Sequence, residues 1–212
     1  MARRKAAAKR GPGYARHLVI MAKRQAMGRV KRRLAREIGA AAAVGFYRTS
    51  LAHTVLRLAA DPRWRTVIAL DCLADCARLR SRTRAATMRQ GEGDLGARMQ
   101  LLFARLPPGP VIVVGSDIPS IRPAHIAAAF RLLGAADAVF GPAEDGGYWL
   151  VGLRRSPRVL APFARVRWSG PHALADTRAN LKGKRVALAP RLSDVDRAAD
   201  LRRERGRFGR LI

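Results

Sequence analysis

Only 15 of the 212 residues are acidic, only 2 are cysteines and only 6% are aromatic. Each shortage excludes something. Cys72 and Cys76 cannot form a disulfide framework or by themselves complete a four-ligand zinc site, so a reduced, cytoplasmic protein is expected. No apolar run approaches the ~20 residues of a helical membrane span; Val111–Gly115 and Trp149–Leu153 are strand-sized. The apolar stretch His17–Ala22 behind the Arg-rich start is too short for the core of a secretion signal, although an Ala/Arg-rich, acid-free start is also the composition of an organelle transit peptide. Lysine is scarce too, with 6 among the 42 basic residues, so the net charge of +27 is almost all arginine. Such a field attracts phosphates, nucleic acid and anionic surfaces. The charge is spread along the whole chain with few aromatics between, whereas a dedicated nucleic-acid reader gathers it in one stripe. A solvated basic surface with non-specific affinity for nucleic acid or anionic surfaces is therefore expected.

What remains is enough for a core. A chain of this length buries roughly 70% of its unfolded surface, and 49% hydrophobic residues argue against extended disorder. Residues 1–16, with Gly11-Pro12-Gly13 as a hinge, read as a flexible basic arm; residues 17–212 read as one domain. Strands are expected at His17–Ala22, Thr66–Leu70, Ala85–Arg89, Pro110–Asp117, Ala138–Gly141, Tyr148–Leu153 and Arg185–Ala189. Val30, Leu34 and Ile38 recur every fourth residue on one helical face, and an Ala-rich helical stretch continues to about Ala60. Asp94 is a helix cap before a core face of Leu95, Met99, Leu102 and Leu106. Further helices are predicted at Pro123–Leu133, Pro157–Phe163, Pro171–Asn180 and from Ala198. Unbroken apolar strands alternating with helices define an α/β fold with a mostly parallel sheet covered on both faces. Ligands then bind at the carboxyl ends of the strands.

The few acids fall where that rule points. Seven of the 15 lie in four short segments at strand ends or the turns after them: Glu92 with Asp94, Asp117, Glu144 with Asp145, and Asp194 with Asp196. Carboxylates converging from several strand ends repel one another unless a positive charge lies between them. A divalent cation supplies it, and oxygen ligands suit Mg2+ or Mn2+; Asp117, Asp196 and Asp145 are the candidates, and the alternative reading of Asp117 is a helix cap or turn former after the strand. Lys23, Gly28, Arg29, Lys31 and Arg33, in the loop and helix after the first strand, offer backbone N–H groups and cations to a phosphate. No Walker A loop or G-x-S-x-G elbow occurs. His17, His53, His125 and His172 show no metal-binding spacing.

Met21–Ala35 (MAKRQAMGRVKRRLA), Gln90–Met99 (QGEGDLGARM), Gly115–Pro119 (GSDIP), Gly141–Leu153 (GPAEDGGYWLVGL), Trp168–Thr177 (WSGPHALADT) and Asp194–Leu201 (DVDRAADL) resemble, in order, a bacterial glycosyltransferase-A-like family of unknown specificity, also called transferase 1 associated with radical-SAM and selenium-domain proteins. The resemblance implies a nucleotide-diphospho-sugar transferase fold, a Rossmann-like three-layer α/β/α sandwich, and distant kinship with nucleotidyltransferases. It implies that Asp117 binds the metal, with Asp196 a second ligand, and that the Lys23–Arg33 loop faces nucleotide phosphates. Gly146, Gly147 and Tyr148, with Trp168 and Ser169, would shape the acceptor or sugar pocket, and Asp145 or Glu144 would serve as the base. The family's PGRVKTRL stands here as Met27–Leu34 without its Pro and Thr, and its WST as Trp168-Ser169-Gly170.

The expectation is a metal-dependent transferase taking a nucleotide sugar or a nucleoside triphosphate, glycosyl transfer before nucleotidyl transfer. The alternatives are a degenerate nucleotide binder without turnover and a basic binder of nucleic acid or anionic surfaces.

Overall fold

The computed structural model describes residues 15–26, 28, 30–71, 85–156 and 158–208. Apart from residues 15 and 16, the basic arm lies outside them, as do Cys72 and Cys76. Seven strands form one sheet: β1 (His17–Ala22), β2 (Arg65–Leu70), β3 (Ala86–Arg89), β4 (Val111–Gly115), β5 (Ala138–Pro142), β6 (Tyr148–Leu153) and β7 (Val186–Leu188). Their order is β3-β2-β1-β4-β6-β5-β7. β6 runs antiparallel to β4 and β5, while the remaining pairs are parallel. The Glu144–Gly147 turn is what reverses β6, since a short turn can join only antiparallel neighbours.

Along β1, Leu18 and Ile20 enter one core and Val19 the other. The first core is closed by α2 (Ala40–Ala59) and α4 (Pro123–Leu132) through Tyr47, Leu51, Val55, Ile126 and Phe130. The second is closed by α3 (Leu95–Arg105) through Met99, Leu102 and Phe103. Both faces being dry is why the strands read as continuous apolar runs. A third, small cluster joins Leu34 of α1 (Arg32–Ile38) to Ala43, Phe46, Val195 and Leu201, the last from α6 (Ala198–Phe208). The remaining helix is α5 (Ala173–Ala179).

Several local expectations are corrected. Val30 lies outside the helix that Leu34 and Ile38 share, and Gly39 at φ 89° separates α1 from α2, a conformation that glycine adopts without Cβ strain. Asp94 caps α3 by accepting from Ala97 N at 2.8 Å, but Leu95 is exposed and Phe103 takes its share of the core face. Residues 158–163 form no helix. Pro162 has no N–H to give one, and the carbonyls of Leu160, Pro162 and Ala164 are instead met by the side-chain amides of Gln100 and Asn180.

Candidate active site

β1 and β4 lie side by side in register, Met21 against Gly115. The chain leaving β1 goes to one side of this pair and the chain leaving β4 to the other, so their carboxyl ends mark the topological switch point. The loop after β1 is fixed there by groups from other elements. Tyr47 Oη of α2 accepts from Lys23 N at 2.9 Å and lies 2.9 Å from Ser116 Oγ, the residue after β4. Burial pushes the Tyr47 phenol up, which keeps it a neutral hydroxyl. Gln90 Nε2 donates to Ala22 O and Ala69 O, each at 2.9 Å, tying the ends of β1 and β2. Arg24 N donates to Asp71 Oδ1 at 2.6 Å.

Asp117 follows Ser116 and meets two further aspartates from the far end of the chain. Val195 is fully buried in the small cluster, and Asp194 and Asp196, two apart, reach the same lysine on either side of that anchor. Val195 N donates to Asp117 O at 3.4 Å. The segment is held from behind by Asp200, which accepts from Asp196 N and Arg197 N at 3.1 and 2.9 Å, and by Glu37, which accepts from Ala198 N at 2.8 Å.

At the focus of the three carboxylates stands Lys31. Its Nζ is 3.0 Å from Asp117 Oδ2, 3.3 Å from Asp196 Oδ1 and 3.9 Å from Asp194 Oδ2, and its side chain is only 3% exposed. Arg33 Nη1 joins Asp196 Oδ2 at 3.1 Å from the solvent side. Burial alone would lower the Lys31 ammonium, but Asp117, Asp196 and Asp194 outweigh it and raise it above the ordinary lysine value. Burial likewise works against the Asp117 carboxylate, and the charge and hydrogen bond of Lys31 still hold it below the usual range. At Asp194 the balance falls the other way: burial and the repulsion of Asp117 outweigh the pull of Lys31 and push it up to about 7.

A cleft of about 700 Å³ opens over this cluster. It brings together Lys23, Lys31, Arg33, Asp117, Asp196, Tyr148 and Ser169 from the sequence-based candidates, with Arg98 of the QGEGDLGARM segment, and adds Tyr47, Gln90 and Ser116. Its opposite wall is α3, with Asp94, Leu95 and Met99. Two of the four non-glycine residues at positive φ among the described residues, Lys31 at 47° and Ser169 at 63°, line it. Such strain in a cleft marks a position that the surrounding fold overdetermines.

The other candidates among the described residues do not line the cleft. Gly28 is exposed in open space, and Arg29 lies outside the described residues. Asp145 Oδ1 accepts from Gly147 N at 2.9 Å across the turn. Glu144 accepts from Ser193 Oγ and lies 3.8 Å from Arg203. Gly146, at φ 81°, is needed for packing, since a Cβ there would stand 2.3 Å from Pro171 O. Trp168 is partly buried against Tyr148 and Phe163. Glu92 is exposed in the turn before α3. Ser116 falls within the GSDIP segment and Gln90 within QGEGDLGARM, whereas Tyr47, on α2, has no sequence signal beyond its apolar helix.

The donor set suits a hard divalent cation in its chemistry, being oxygen only. As the side chains stand, the focus is taken by the ammonium, and no three acidic, His or Cys side chains among the described residues are grouped to hold a metal.

A structure from Desulfovibrio desulfuricans G20, provisionally described as a nucleotide-diphospho-sugar transferase, is 25% identical, with a TM-score of 0.83 over 92% of this chain and 88% of that one. CMP:2-keto-3-deoxy-manno-octonic acid synthetase complexed with CTP is similar at 13% identity and TM-score 0.61, over 94% and 100% of the two chains. Rv0371C of Mycobacterium tuberculosis H37Rv, in complex with manganese, is similar at 19% identity and TM-score 0.52, over 90% and 97%. No curated protein matches the sequence. The fold and the likeness to the Desulfovibrio desulfuricans G20 structure define the class, a transferase built on the nucleotide-diphospho-sugar transferase fold. Within it the chain belongs to the DUF2064 family, described as an uncharacterized protein conserved in bacteria, whose profile matches residues 54–170.

Proposed function

We propose that this protein is a metal-dependent transferase that takes a nucleotide sugar or a nucleoside triphosphate as donor, with glycosyl transfer to an acceptor hydroxyl as its reaction. The observation that carries the reading is the meeting of Asp117, Asp194 and Asp196 with Lys31 and Arg33 at the switch point, in a cleft large enough for a nucleotide. Residues 17–212 form the catalytic domain and residues 1–16 a basic arm outside the chemistry.

In this reading Lys23, Lys31 and Arg33 bind the donor's phosphates, and Asp117 and Asp196 hold Mg2+ or Mn2+, with Asp194 at their side. When bound, that cation supplies charge neutralisation of the phosphates and of the leaving group. Tyr148 and Ser169 border the acceptor or sugar, and Leu95 and Met99 give the cleft an apolar wall. The acceptor oxygen attacks the anomeric carbon as the bond from that carbon to the nucleoside diphosphate breaks, and the hydroxyl proton goes to a carboxylate. Asp145 is the better candidate for that base, because its charge is felt at Asp194; Glu144 is committed to Ser193 and Arg203. The chain's main contribution is positioning and charge stabilisation.

The test is product analysis. The protein with Mn2+ is incubated with nucleotide sugars and nucleoside triphosphates across a panel of sugar, lipid and protein acceptors. Release of nucleoside diphosphate, lost in Asp117→Asn, is the expected result. Release of pyrophosphate would make the reaction nucleotidyl transfer; metal-dependent donor binding with neither product across acceptors would favour a degenerate binder.

A further inference from the structure

Lys31 is a charge in a position where another charge is called for. Its side chain is nearly sealed, with Nζ within 4 Å of three carboxylates that no other ammonium among the described residues approaches so closely. There it does what a divalent cation would do: it cancels carboxylate repulsion and gathers oxygens around one point. Lysine and metal cannot share that point, because like charges so close in a partly dry site repel strongly. A second feature is independent of the side chain. Lys31 holds φ 47° and ψ 47°, a left-handed conformation that costs a lysine energy, immediately before α1. Gly28, three residues earlier, is also at positive φ with open space around it. The backbone is therefore strained at Lys31, and the flexible four-carbon stem lets Nζ move several ångströms without the helix moving.

We propose that Lys31 is a built-in stand-in for the divalent cation: it holds the aspartates together in the metal-free protein and swings from them to the donor's phosphates as the cation enters. The proposal rests on the reading that Asp117 and Asp196 bind a metal. Metal alone must expel an ammonium into solvent, so it binds weakly. A phosphate receives the expelled ammonium, so metal and phosphate bind with positive coupling, each raising the other's affinity by the same factor. The cluster thereby admits its cation together with a donor.

Mn2+ binding to the whole chain is measured by the EPR signal of free Mn2+, with and without pyrophosphate, with protein-free controls correcting for Mn2+ bound by pyrophosphate. Lys31→Gln is expected to bind Mn2+ alone about tenfold more tightly than the unaltered protein. Pyrophosphate is expected to tighten Mn2+ in the unaltered protein and to do so much less in the variant. A second measurement needs no substitution and stands if Lys31→Gln fails to fold. Acetylation of lysines followed by mass spectrometry should find Lys31 protected in the metal-free protein, more reactive relative to Lys182 with Mn2+, and protected again with Mn2+ plus pyrophosphate. Equal Mn2+ affinity with and without Lys31, or Lys31 reactivity unmoved by Mn2+, overturns the exchange. If Asp117→Asn still abolishes Mn2+ binding in that case, the transferase reading survives. Mn2+ that binds no form, even with pyrophosphate, removes the metal reading and this inference with it.

Discussion

Two neighbouring aspartates beside one lysine are driven in opposite directions. Asp117, in hydrogen-bond contact with Lys31, is held below the usual carboxylate range, while Asp194, farther from Nζ and facing Asp117, is pushed up to about 7. In the unfolded chain Asp194 titrates near the ordinary ~3.9. Between that value and about 7 the folded state therefore holds a proton that the unfolded state has released. Stability then falls as pH rises through this window. Urea midpoints of the metal-free protein should drop between pH 4.5 and 7.5, and Asp194→Asn should flatten the drop; a variant that keeps the full slope contradicts the assignment. Asp117 has the opposite sign, its stabilisation being lost only on acidification through its depressed value. A second prediction is steric. A Cβ on Gly141 would stand 2.4 Å from the indole of Trp149, which is buried and anchored by Nε1 donating to Pro190 O at 3.0 Å. Gly141→Ala is expected to cost about 1–3 kcal/mol in denaturant unfolding, the range for overpacked cores.

The elements that deliver these residues differ in how far they can be read from the chain. β4 is plain, since an unbroken run of Val and Ile ending in Gly-Ser-Asp reads as a buried strand with a carboxylate just past its end. Asp94 as a cap is plain as well, and Asp94→Ala should lower stability by about 1 kcal/mol, measured by urea unfolding, with the loss local to α3. The 158–163 segment misleads because its apolar spacing is helical while its carbonyls are served by Gln100 and Asn180, partners distant in sequence. The site divides the same way. Asp117, Asp196, Lys23, Lys31 and Arg33 are legible because charged residues at strand ends in an α/β chain have few other reasons to cluster. Tyr47 and the convergence of Asp194 on Lys31 depend on how α2 and the 194–196 segment pack, which no local pattern encodes. Val195 carries that packing. Val195→Ala should cost about 1–3 kcal/mol by leaving a cavity among Leu34, Ala43, Phe46 and Leu201, and should also weaken metal binding by loosening both flanking aspartates. Calorimetry with Mn2+ in the presence of pyrophosphate checks the second effect; unchanged affinity would mean that Asp200 and Glu37 suffice to hold the segment.

At the scale of the whole molecule, a net charge of +27 surrounds a cleft that opens over three carboxylates gathered on one buried ammonium. No helix among the described residues is long and apolar enough to cross a membrane. The arginine surface will draw any polyanion in a salt-dependent way, so weak binding of DNA or heparin carries no information about the cleft and should survive Asp117→Asn unchanged. Specific donor binding has a different signature, because it needs the metal and the aspartate together. The central claim is accordingly tested most directly by thermal unfolding with a panel of nucleotide sugars and nucleoside triphosphates. Each is tried at moderate salt with Mn2+, with Mg2+ and with EDTA, on the unaltered protein and on Asp117→Asn. Stabilisation follows affinity and concentration, and the account predicts a rise in Tm confined to one donor class, dependent on metal and absent from the variant. Equal stabilisation by every polyanion, indifferent to EDTA and to Asp117, would mean that the arginines alone respond and would contradict the transferase assignment of this cleft.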